Sequence, residues 1–485
     1  MKLKKILNNI DYELIKGKIN IDINDIKYDS RNIEPNDIFI ALSGIDVDGH
    51  NYISDAINNG ASCIIICKDI EINEDVTIIK VDNTRTKLSY LSANFFENPG
   101  DKLIKIAITG TKGKTSSSWM LKNIIETAGF KVGVIGTIGT FINNKLYEHK
   151  NTTPESYQVQ KFMRLMVDSG CKYLIMEASS QALMVGRINN IVFDYAIFTN
   201  LSPDHIGPRE HKDYNEYVSS KAKLFRQTKI GIINIDDKEK DNIIKDATCK
   251  IYTYGKKKAD LQLDNINLSN TNSFLGTTFT TKGISDYNYK VSAPGDFSAY
   301  NAASVILTAK LINIDESTIN EGLINFKVRG RCEIININNK FKVIIDFAHN
   351  KLSMESILEM AKLYNPNRII TVFGCGGGRS KEIRQQLGEV SALYADLSII
   401  TCDNPRNDEL DEINKDIVIG INKHNGTYKI IKDRKDAINY CLDNALENDI
   451  ILLLGKGHET SQEIKGQKYY FNELEIIKDW MDNNA

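Results

Sequence analysis

Short, continuous apolar runs recur along the chain, bounded by glycine, proline, asparagine and acidic turns and separated by segments of helical period. Runs that are continuous rather than alternating predict strands covered on both faces, and their alternation with helices predicts α/β architecture with mostly parallel sheets. Asp37-Ile-Phe-Ile-Ala-Leu42 and Cys63-Ile-Ile-Ile-Cys67 predict buried strands and Tyr52 to Asn59 a helix, which makes a small first α/β unit. Asn98-Pro99-Gly100-Asp101 breaks the pattern and marks a boundary. Strand-like runs at 104–109, 131–135, 173–176, 195–199 and 231–235, with helical segments such as 156–169 and 214–227, predict a central doubly wound sheet. A third alternation follows, with strands at 343–346, 368–373, 397–401 and 450–454 and helices at 353–363 and 434–445, so a second doubly wound sheet is expected. Three domains result, 1–99, 100–328 and 329–485.

Ligands of doubly wound sheets gather at the carboxyl ends of the strands, and the chemistry-bearing residues fall there. The strand at Ile106 breaks into Gly110-Thr111-Lys112-Gly113-Lys114-Thr115, and Ser116 to Ala128 then carries a helical pattern. Such a loop surrounds a phosphate with backbone N–H groups and a helix N-terminus, adds a lysine for the outer phosphates, and offers Thr115 to Mg²⁺. The usual phosphate loop has four residues between its first glycine and Gly-Lys, whereas this one has two, so a tight turn with purely structural glycines is the plainer alternative. Glu177 ends the next predicted strand and Asn200-Leu-Ser-Pro-Asp204-His205 another. A carboxylate and an imidazole there suit Mg²⁺ beside a γ-phosphate; the alternatives are a carboxylate near a helix dipole and a hydrogen-bonded surface histidine.

In the third domain the strand ends carry Asp346-Phe-Ala-His349-Asn350, Gly374-Cys-Gly-Gly-Gly-Arg379, Asp403-Asn404-Pro405-Arg406 and Gly455-Lys-Gly-His-Glu459. Glycines let backbone approach a ligand, Arg406 offers a planar fork for a carboxylate, and Glu459 can hold an ammonium. A site with both charges suits an amino acid. The first domain is punctuated by Tyr28-Asp-Ser30-Arg31 and by Gly44 to His50, which taken alone read as ordinary turns.

Composition narrows the field. A chain of 485 residues with a formal net charge of −2 has no basic surplus, so neither nucleic acid nor a membrane surface is expected as a partner. The eight cysteines lack C-x-x-C spacing and read as thiols of a reducing compartment. No apolar run has signal-peptide or bilayer-spanning character, so a cytoplasmic monomer acting on small molecules is expected.

Taken in order, Gly110-Thr-Lys-Gly-Lys-Thr115, Asn151-Thr-Thr-Pro154, Glu177-Ala-Ser179-Ser180, Asn200 to His205, Tyr300-Asn301, Gly330-Arg331, Asp346 with Ala348-His349, Asp403 to Arg406 and Gly455 to Glu459 resemble the Mur ligase family. The match runs over nearly the whole chain. The resemblance implies a UDP-binding first domain, an ATP-binding phosphate-loop domain and a Rossmann-like domain for the amino acid. It implies ATP-dependent amide synthesis in peptidoglycan precursor assembly, at the step that adds the third stem residue. The D-glutamate carboxylate of UDP-MurNAc-L-Ala-D-Glu would attack the γ-phosphate, and the incoming amine would displace phosphate from the acyl phosphate. The chemistry needs activation, because a carboxylate is a poor electrophile, and cationic cover where two anions meet.

By this resemblance Gly110 to Ser116, Asn301, Arg331 and Asp346 would bind ATP, with Lys114 neutralising phosphate charge. Thr115, Glu177, His205 and Lys221 would organise Mg²⁺, Lys221 as a carbamate, since an ammonium cannot ligate a cation. Lys223 lies close by, and a solvated helix lysine suits it better. Ser30 and the Gly44–Asp48 turn, with Asn151, Thr152, Thr153, Ser179 and Arg187, would hold the UDP-MurNAc-dipeptide. Arg384, Asp403, Asn404, Pro405, Arg406, Gly455 and Glu459 would hold the amino acid.

Asp-Asn-Pro-Arg is the form associated with meso-diaminopimelate, whose second carboxylate an arginine clamps and lysine lacks. Pro203, the Ile206 to His211 segment, Asn350-Lys351-Leu352 without the usual proline, and Gly378 in place of aspartate depart from the pattern. They leave L-lysine, lanthionine, or a paralogue's peptide open. A folylpolyglutamate-synthase-like ligase shares the phosphate loop but does not account for the first domain. A non-catalytic nucleotide-binding regulator has no use for Glu177, His205 and Lys221 together.

Overall fold

The structure is a computed structural model that describes residues 1–484 except Ile45, Asp46, Asn144, His205, Pro208, Arg209, Asn272, Ser273, Lys327, Val328, Arg329, Arg331 and Asn339. The expected site residues His205 and Arg331, and part of the Gly44–Asp48 turn, thus lie outside the described residues. Packing divides the chain into two units, Met1–Asn265 with Phe279–Tyr289 and Ala299–Asn325, and Ile266–Thr278 with Lys290–Ser298 and Phe326–Ala485.

The first unit opens with β1 (Glu13–Lys16), β2 (Ile26–Lys27), β3 (Ile38–Ile40), β4 (Cys63–Ile66) and β5 (Thr77–Lys80), in the spatial order β1-β5-β4-β3-β2. Strands β2 to β5 run parallel and β1 antiparallel to β5. Alternate residues face opposite sides of a strand, and here both sides are covered. Ile38 and Ile40 enter a cluster with Leu88 and Leu91 of the helix Thr84–Phe95, whereas Phe39 enters another with Ile53 and Ala56 of the helix Ile53–Asn58. The helix expected from Tyr52 starts instead as a 3₁₀ turn, Gly49–Tyr52, capped by Asp48.

The central sheet of this unit is built on β6 (Ile104–Thr109), β7 (Val132–Gly136), β8 (Gly139–Ile142), β9 (Lys145–Tyr147), β10 (Tyr173–Glu177), β11 (Phe193–Phe198), β12 (Thr228–Asn234) and β13 (Lys250–Gly255). Its parallel core has the order β13-β12-β11-β6-β10-β7, and β8 and β9 extend it antiparallel. Three further strands, β14 (Leu261–Thr271), β15 (Phe274–Gly283) and β16 (Tyr287–Val291), continue the order beyond β13 and contribute to both units. The β8–β9 hairpin and β14 to β16 carry alternating polar residues, so they lack the continuous apolar signature of β6. In β6, Ile106, Ala107 and Ile108 are fully buried. The helix expected at 214–227 is α-helical over Tyr214–Ala222 and tightens into a 3₁₀ turn at Lys223–Arg226.

The second unit holds β17 (Glu333–Ile337), β18 (Phe341–Asp346), β19 (Ile369–Phe373), β20 (Leu397–Ile400), β21 (Tyr428–Ile430) and β22 (Ile450–Leu454), in the order β17-β18-β22-β19-β20-β21. All pairs are parallel except β17–β18. Ile450, Leu452 and Leu454 face a cluster with the helices Lys351–Lys362, Lys381–Tyr394 and Leu410–Asn422. Ile451 and Leu453 face Ile438 and Ile477 of the helices Arg434–Asp443 and Glu473–Asn483. Because β18, β22, β19 and β20 are neighbours, the four polar loops that follow them emerge at one edge. A hairpin of β23 (Ser461–Ile464) and β24 (Gln467–Tyr470) lies beyond β22 in sequence. All eight cysteines are free thiols. Among the described residues no helix is long and apolar enough to cross a membrane.

Candidate active site

In the first unit the loops after β6, β10 and β11 meet. Thr109 ends β6, and Gly113 begins the helix Lys114–Thr127 at φ +86°, where a Cβ would stand 2.3 Å from Asn301 Oδ1. Only glycine admits both the left-handed turn and that approach, which explains why Asn301 comes to the loop. The segment after β11 clamps the loop from the other side. Thr111 N–H donates to Asn200 O at 2.9 Å, Lys112 N–H to Asn200 Oδ1 at 3.0 Å, and Thr199 Oγ1 to Lys112 O at 2.7 Å. Thr199 and Asn200 carry no charge, yet they set the loop's shape. Lys112 is exposed and Ser116 half-buried on the loop's helical side.

Two lysines converge on one carbonyl. Lys114 Nζ donates to Gly110 O at 2.8 Å and to Thr111 O at 3.0 Å, and Lys221 Nζ donates to Gly110 O at 2.9 Å. Lys221 is 1% exposed and lies 4.7 Å over the Tyr217 ring, whose hydroxyl is 2.9 Å from Thr111 Oγ1. Burial, and then the charge of Lys114, hold the Lys221 amine well below the usual lysine range, with Asp204 opposing. Lys223, two residues on, is exposed and reaches Met184 O at 3.5 Å. A helix turns by about 200° over two residues, so only one of the two lysines can face the loop.

Glu177 ends β10 and is fully buried. Its Oε2 accepts from Thr115 Oγ1 at 3.0 Å and Thr137 Oγ1 at 2.9 Å, and its Oε1 accepts from Thr137 N at 3.2 Å. These donors are neutral. A buried carboxylate with neutral donors and a hydroxyl from the first turn of the phosphate-loop helix is a donor set that fits a hard cation taking few protein ligands. Among the described residues no three His, Cys, Asp or Glu side chains cluster as metal ligands, and His205 is not one of those residues.

Thr137 also links Glu177 to Thr152, at 3.2 Å between hydroxyls. Thr153 Oγ1 donates to Glu177 O at 2.7 Å and accepts from Ser179 N at 3.0 Å, while Ser179 caps the short helix Ser180–Met184. Asn151 is exposed, its carbonyl 2.7 Å from His149 Nδ1. Arg187 donates from Nη1 to Thr153 O at 3.0 Å and from Nε to Glu155 Oε1 at 2.9 Å. Glu155 also receives Arg85 Nη1 at 3.2 Å. Glu155 is thus shared by Arg187 and Arg85, two cations on one carboxylate. Ser30 accepts through its carbonyl from Asn59 Nδ2 at 3.0 Å. Two residues earlier, burial and then Glu155 raise the Tyr28 phenol while Arg187 opposes, so that turn lies in the field of the Arg187–Glu155 pair. Asp48 is held well below the carboxylate range by Lys68 and by His50, whose Nδ1 is 2.6 Å away.

In the second unit the four strand-end loops form a cluster of their own residues. Gly377 and the Asp403–Arg406 stretch are in backbone contact, since a Cβ on Gly377 would stand 2.0 Å from Pro405 O. That glycine makes room for chain rather than ligand. Asp403 is buried against Gly455, whose Cβ would stand 2.4 Å from Asp403 Oδ2. Asn404 Nδ2 donates to Glu459 Oε2 at 2.8 Å. Arg406, at φ +53°, has its guanidinium half exposed, 3.2 Å from Gly377 O and 3.6 Å from Glu463 Oε2. Arg384 is 6% exposed and already engaged, Nη1 with Asp416 Oδ2 at 3.1 Å and Nη2 with Asp408. Asp346 accepts from Ala348 N at 2.8 Å and Cys332 N at 2.7 Å, which shapes the loop after β18.

Three family models match the chain: "Mur ligase family, catalytic domain" over residues 22–96, "Mur ligase middle domain" over 108–309, and "Mur ligase, glutamate ligase domain" over 330–457. The UDP-N-acetylmuramoyl-L-alanyl-D-glutamate–2,6-diaminopimelate ligase of Clostridium perfringens is 40% identical over 490 aligned positions, covering 99% of this chain and 100% of that protein. Among solved structures, a UDP-N-acetylmuramoyl-L-alanyl-D-glutamate–2,6-diaminopimelate ligase superposes with a TM-score of 0.73 at 26% identity, covering 100% of this chain and 99% of that one. The MurF ligase of Thermotoga maritima in complex with ADP shares the fold, with a TM-score of 0.61 at 17% identity over 95% of this chain and 99% of that one.

Proposed function

The chain belongs to the Mur ligase family, an ATP-dependent ligase family, and from that membership we propose that it joins meso-diaminopimelate to UDP-N-acetylmuramoyl-L-alanyl-D-glutamate. The observation that carries this reading is 40% identity, end to end, to an enzyme of that name. The match over 22–96 also accounts for the first domain, which a folylpolyglutamate-synthase-like ligase leaves without a role. On this reading domains 1–99, 100–328 and 329–485 take the UDP-sugar peptide, ATP and the amino acid.

The reaction forms a bond from the D-glutamate carboxylate oxygen to the γ-phosphorus and breaks the bond to ADP. The amine nitrogen then attacks the acyl carbon, phosphate leaves, and the ammonium's spare protons pass to solvent. Lys114, at the mouth of the phosphate loop, supplies positive charge where the γ-phosphoryl oxygens gain it. Thr115 Oγ1 and Glu177, with His205, would hold Mg²⁺, which when bound screens the phosphate oxygens. The Lys221 amine, which burial holds below the usual lysine range, would add CO₂ from its unprotonated form, with an N–C bond formed and a proton released. The carbamate would add an anionic oxygen donor next to Lys114. Arg187, fixed by Glu155 and Thr153 O, would meet a carboxylate of the dipeptide. Arg406 and Glu459 would take a carboxylate and an ammonium of the acceptor.

The test supplies purified protein, ATP, Mg²⁺ and UDP-MurNAc-L-Ala-D-Glu with diaminopimelate, L-lysine or lanthionine in separate reactions, following phosphate and peptide. Diaminopimelate is expected to give the highest kcat/KM. No phosphate release with any acceptor would overturn the ligase reading. The departures at Pro203 and at Ile206 to His211 leave L-lysine open, and a clear lysine preference would reassign the acceptor alone.

A further inference from the structure

Lys456 lies between two of the groups assigned to the acceptor but touches solvent nowhere. It follows β22, is 0% exposed, and its Nζ donates to Asn404 Oδ1 at 3.0 Å and to Glu459 Oε2 at 2.9 Å. The turn that carries it is closed by Glu459 N–H donating to Lys456 O at 3.0 Å, which brings the two side chains onto one side, three residues apart. Asn404 completes the triangle, Nδ2 donating to Glu459 Oε2 at 2.8 Å, and Glu463 N–H donates to Asn404 Oδ1 at 3.0 Å.

This arrangement leaves the asparagine amide one orientation. Flipping it would put NH₂ against the Lys456 ammonium and the Glu463 N–H, and its oxygen against a carboxylate, turning three attractive contacts into three repulsive ones. It also divides the Glu459 carboxylate. Oε2 accepts from both Lys456 and Asn404, whereas Oε1 accepts no hydrogen bond among the described residues, and the side chain is about a third exposed. Oε1 is the oxygen left with its hydrogen-bonding capacity unused.

A fully buried ammonium is expensive, and a packed apolar residue would stabilise a loop as well or better. Its presence there points to a role in fixing its partners. Arg384 and Arg406 do not fill that role, because their guanidinium groups bind Asp408, Asp416, Gly377 O and Glu463.

We propose that Lys456 is a positioning residue for the acceptor amino acid: buried beneath the site, it locks the Asn404 amide and the Glu459 carboxylate so that Glu459 Oε1 faces the incoming ammonium. The proposal rests on the assignment of Asn404 and Glu459 to the acceptor. Lys456 does not touch the substrate. It saturates Oε2, selects one Glu459 rotamer, and thereby confines ammonium recognition to one oxygen, which sets where the acceptor's carboxylate must fall.

The experiment compares full-length wild type, Lys456→Met, Lys456→Gln, Glu459→Gln and the Lys456→Met/Glu459→Gln pair by steady-state kinetics with each substrate varied in turn. Lys456→Met is expected to lower kcat/KM for diaminopimelate at least about tenfold, mainly through KM, while KM for ATP and for UDP-MurNAc-L-Ala-D-Glu stays within about twofold. Lys456→Gln, which keeps N–H donors without the charge, should recover most of the loss. On the Glu459→Gln background Lys456→Met should add little, because the two act as one unit. Equal rises in KM for all three substrates, or independent multiplying effects of the two substitutions, would overturn the proposal in favour of a plain packing role. If Lys456→Met does not fold, Asn404→Ala in the same cycle decides: a loss confined to KM for diaminopimelate and absent on the Glu459→Gln background supports the proposal, and equal rises in KM for all three substrates or multiplying effects overturn it. A wild type that releases no phosphate would instead overturn the ligase reading beneath it.

Discussion

Lys114 and Lys221 donate to the same oxygen, Gly110 O, yet their expected contributions to stability and activity differ. Lys221 is buried, and burial followed by Lys114 lowers its affinity for protons below the ordinary lysine value of 10.5. Between the lowered folded value and 10.5, the unfolded chain binds more protons at this site than the folded one, so stability rises with pH across that window. Below the window both states are protonated and the folded state carries the burial cost in full. Lys221→Met is therefore expected to raise the thermal midpoint at pH ~7 in CO₂-free buffer, with an advantage over wild type that shrinks toward pH ~10, while activity falls about a hundredfold or more. Thermal denaturation at both pH values checks it, and an advantage that grew with pH would contradict the sign. Lys114→Met should lower kcat/KM by about 10²–10³. Arg406 makes a different trade, because it holds a left-handed φ of +53° that a β-carbon resists. Arg406→Gly should keep or raise thermal stability, yet raise KM for diaminopimelate by about tenfold to a hundredfold through the lost carboxylate fork. Kinetics and melting of the one variant report both effects.

At the scale of elements, the helices Lys381–Tyr394 and Leu410–Asn422 approach through glycine on both sides. A Cβ on Gly388 would stand 2.1 Å from Ile417 O, and one on Gly420 would stand 2.0 Å from Gln385 O. Neither contact is with a flexible side-chain end, so the backbones would have to separate. Gly388→Ala and Gly420→Ala are each expected to destabilise the second unit by about 1–3 kcal/mol, although alanine favours helix, and chemical denaturation with a probe in that unit measures it. Arg384 stands on the first of these helices and Asp416 on the second, so the same packing holds an expected acceptor residue against its partner at 3.1 Å. Continuous apolar strands such as β6 and β22 were legible in sequence because both their faces are covered. β8 with β9, and β23 with β24, were not, because hairpins with a wet face carry as many polar residues as a loop.

At the scale of the whole molecule, the phosphate loop and the acceptor residues belong to different units, and ligand-linked stabilisation can tell them apart. A ligand at 100 times its Kd stabilises the folded state by about 2.7 kcal/mol. Mg²⁺-ATP is expected to raise the thermal midpoint of wild type and of Arg406→Ala but not of Lys114→Met. Diaminopimelate should raise that of Lys114→Met but not of Arg406→Ala. Loss of both shifts in either variant would contradict the division. The sequence by itself determined the alternation that builds two doubly wound sheets, and the order of turns that marks Lys114, Glu177, Asp403 to Arg406 and Glu459, because periodicity and motif spacing are local properties of a chain. Folding alone decided that Lys221 shares the Gly110 carbonyl with Lys114, that Glu155 joins Arg187 to Arg85, that Asp408 and Asp416 occupy Arg384, and that Lys456 is buried under Asn404 and Glu459. Those are contacts between residues from 3 to 111 positions apart, made by side chains whose charge looks the same in sequence whether solvated or buried, and only packing selects between the two.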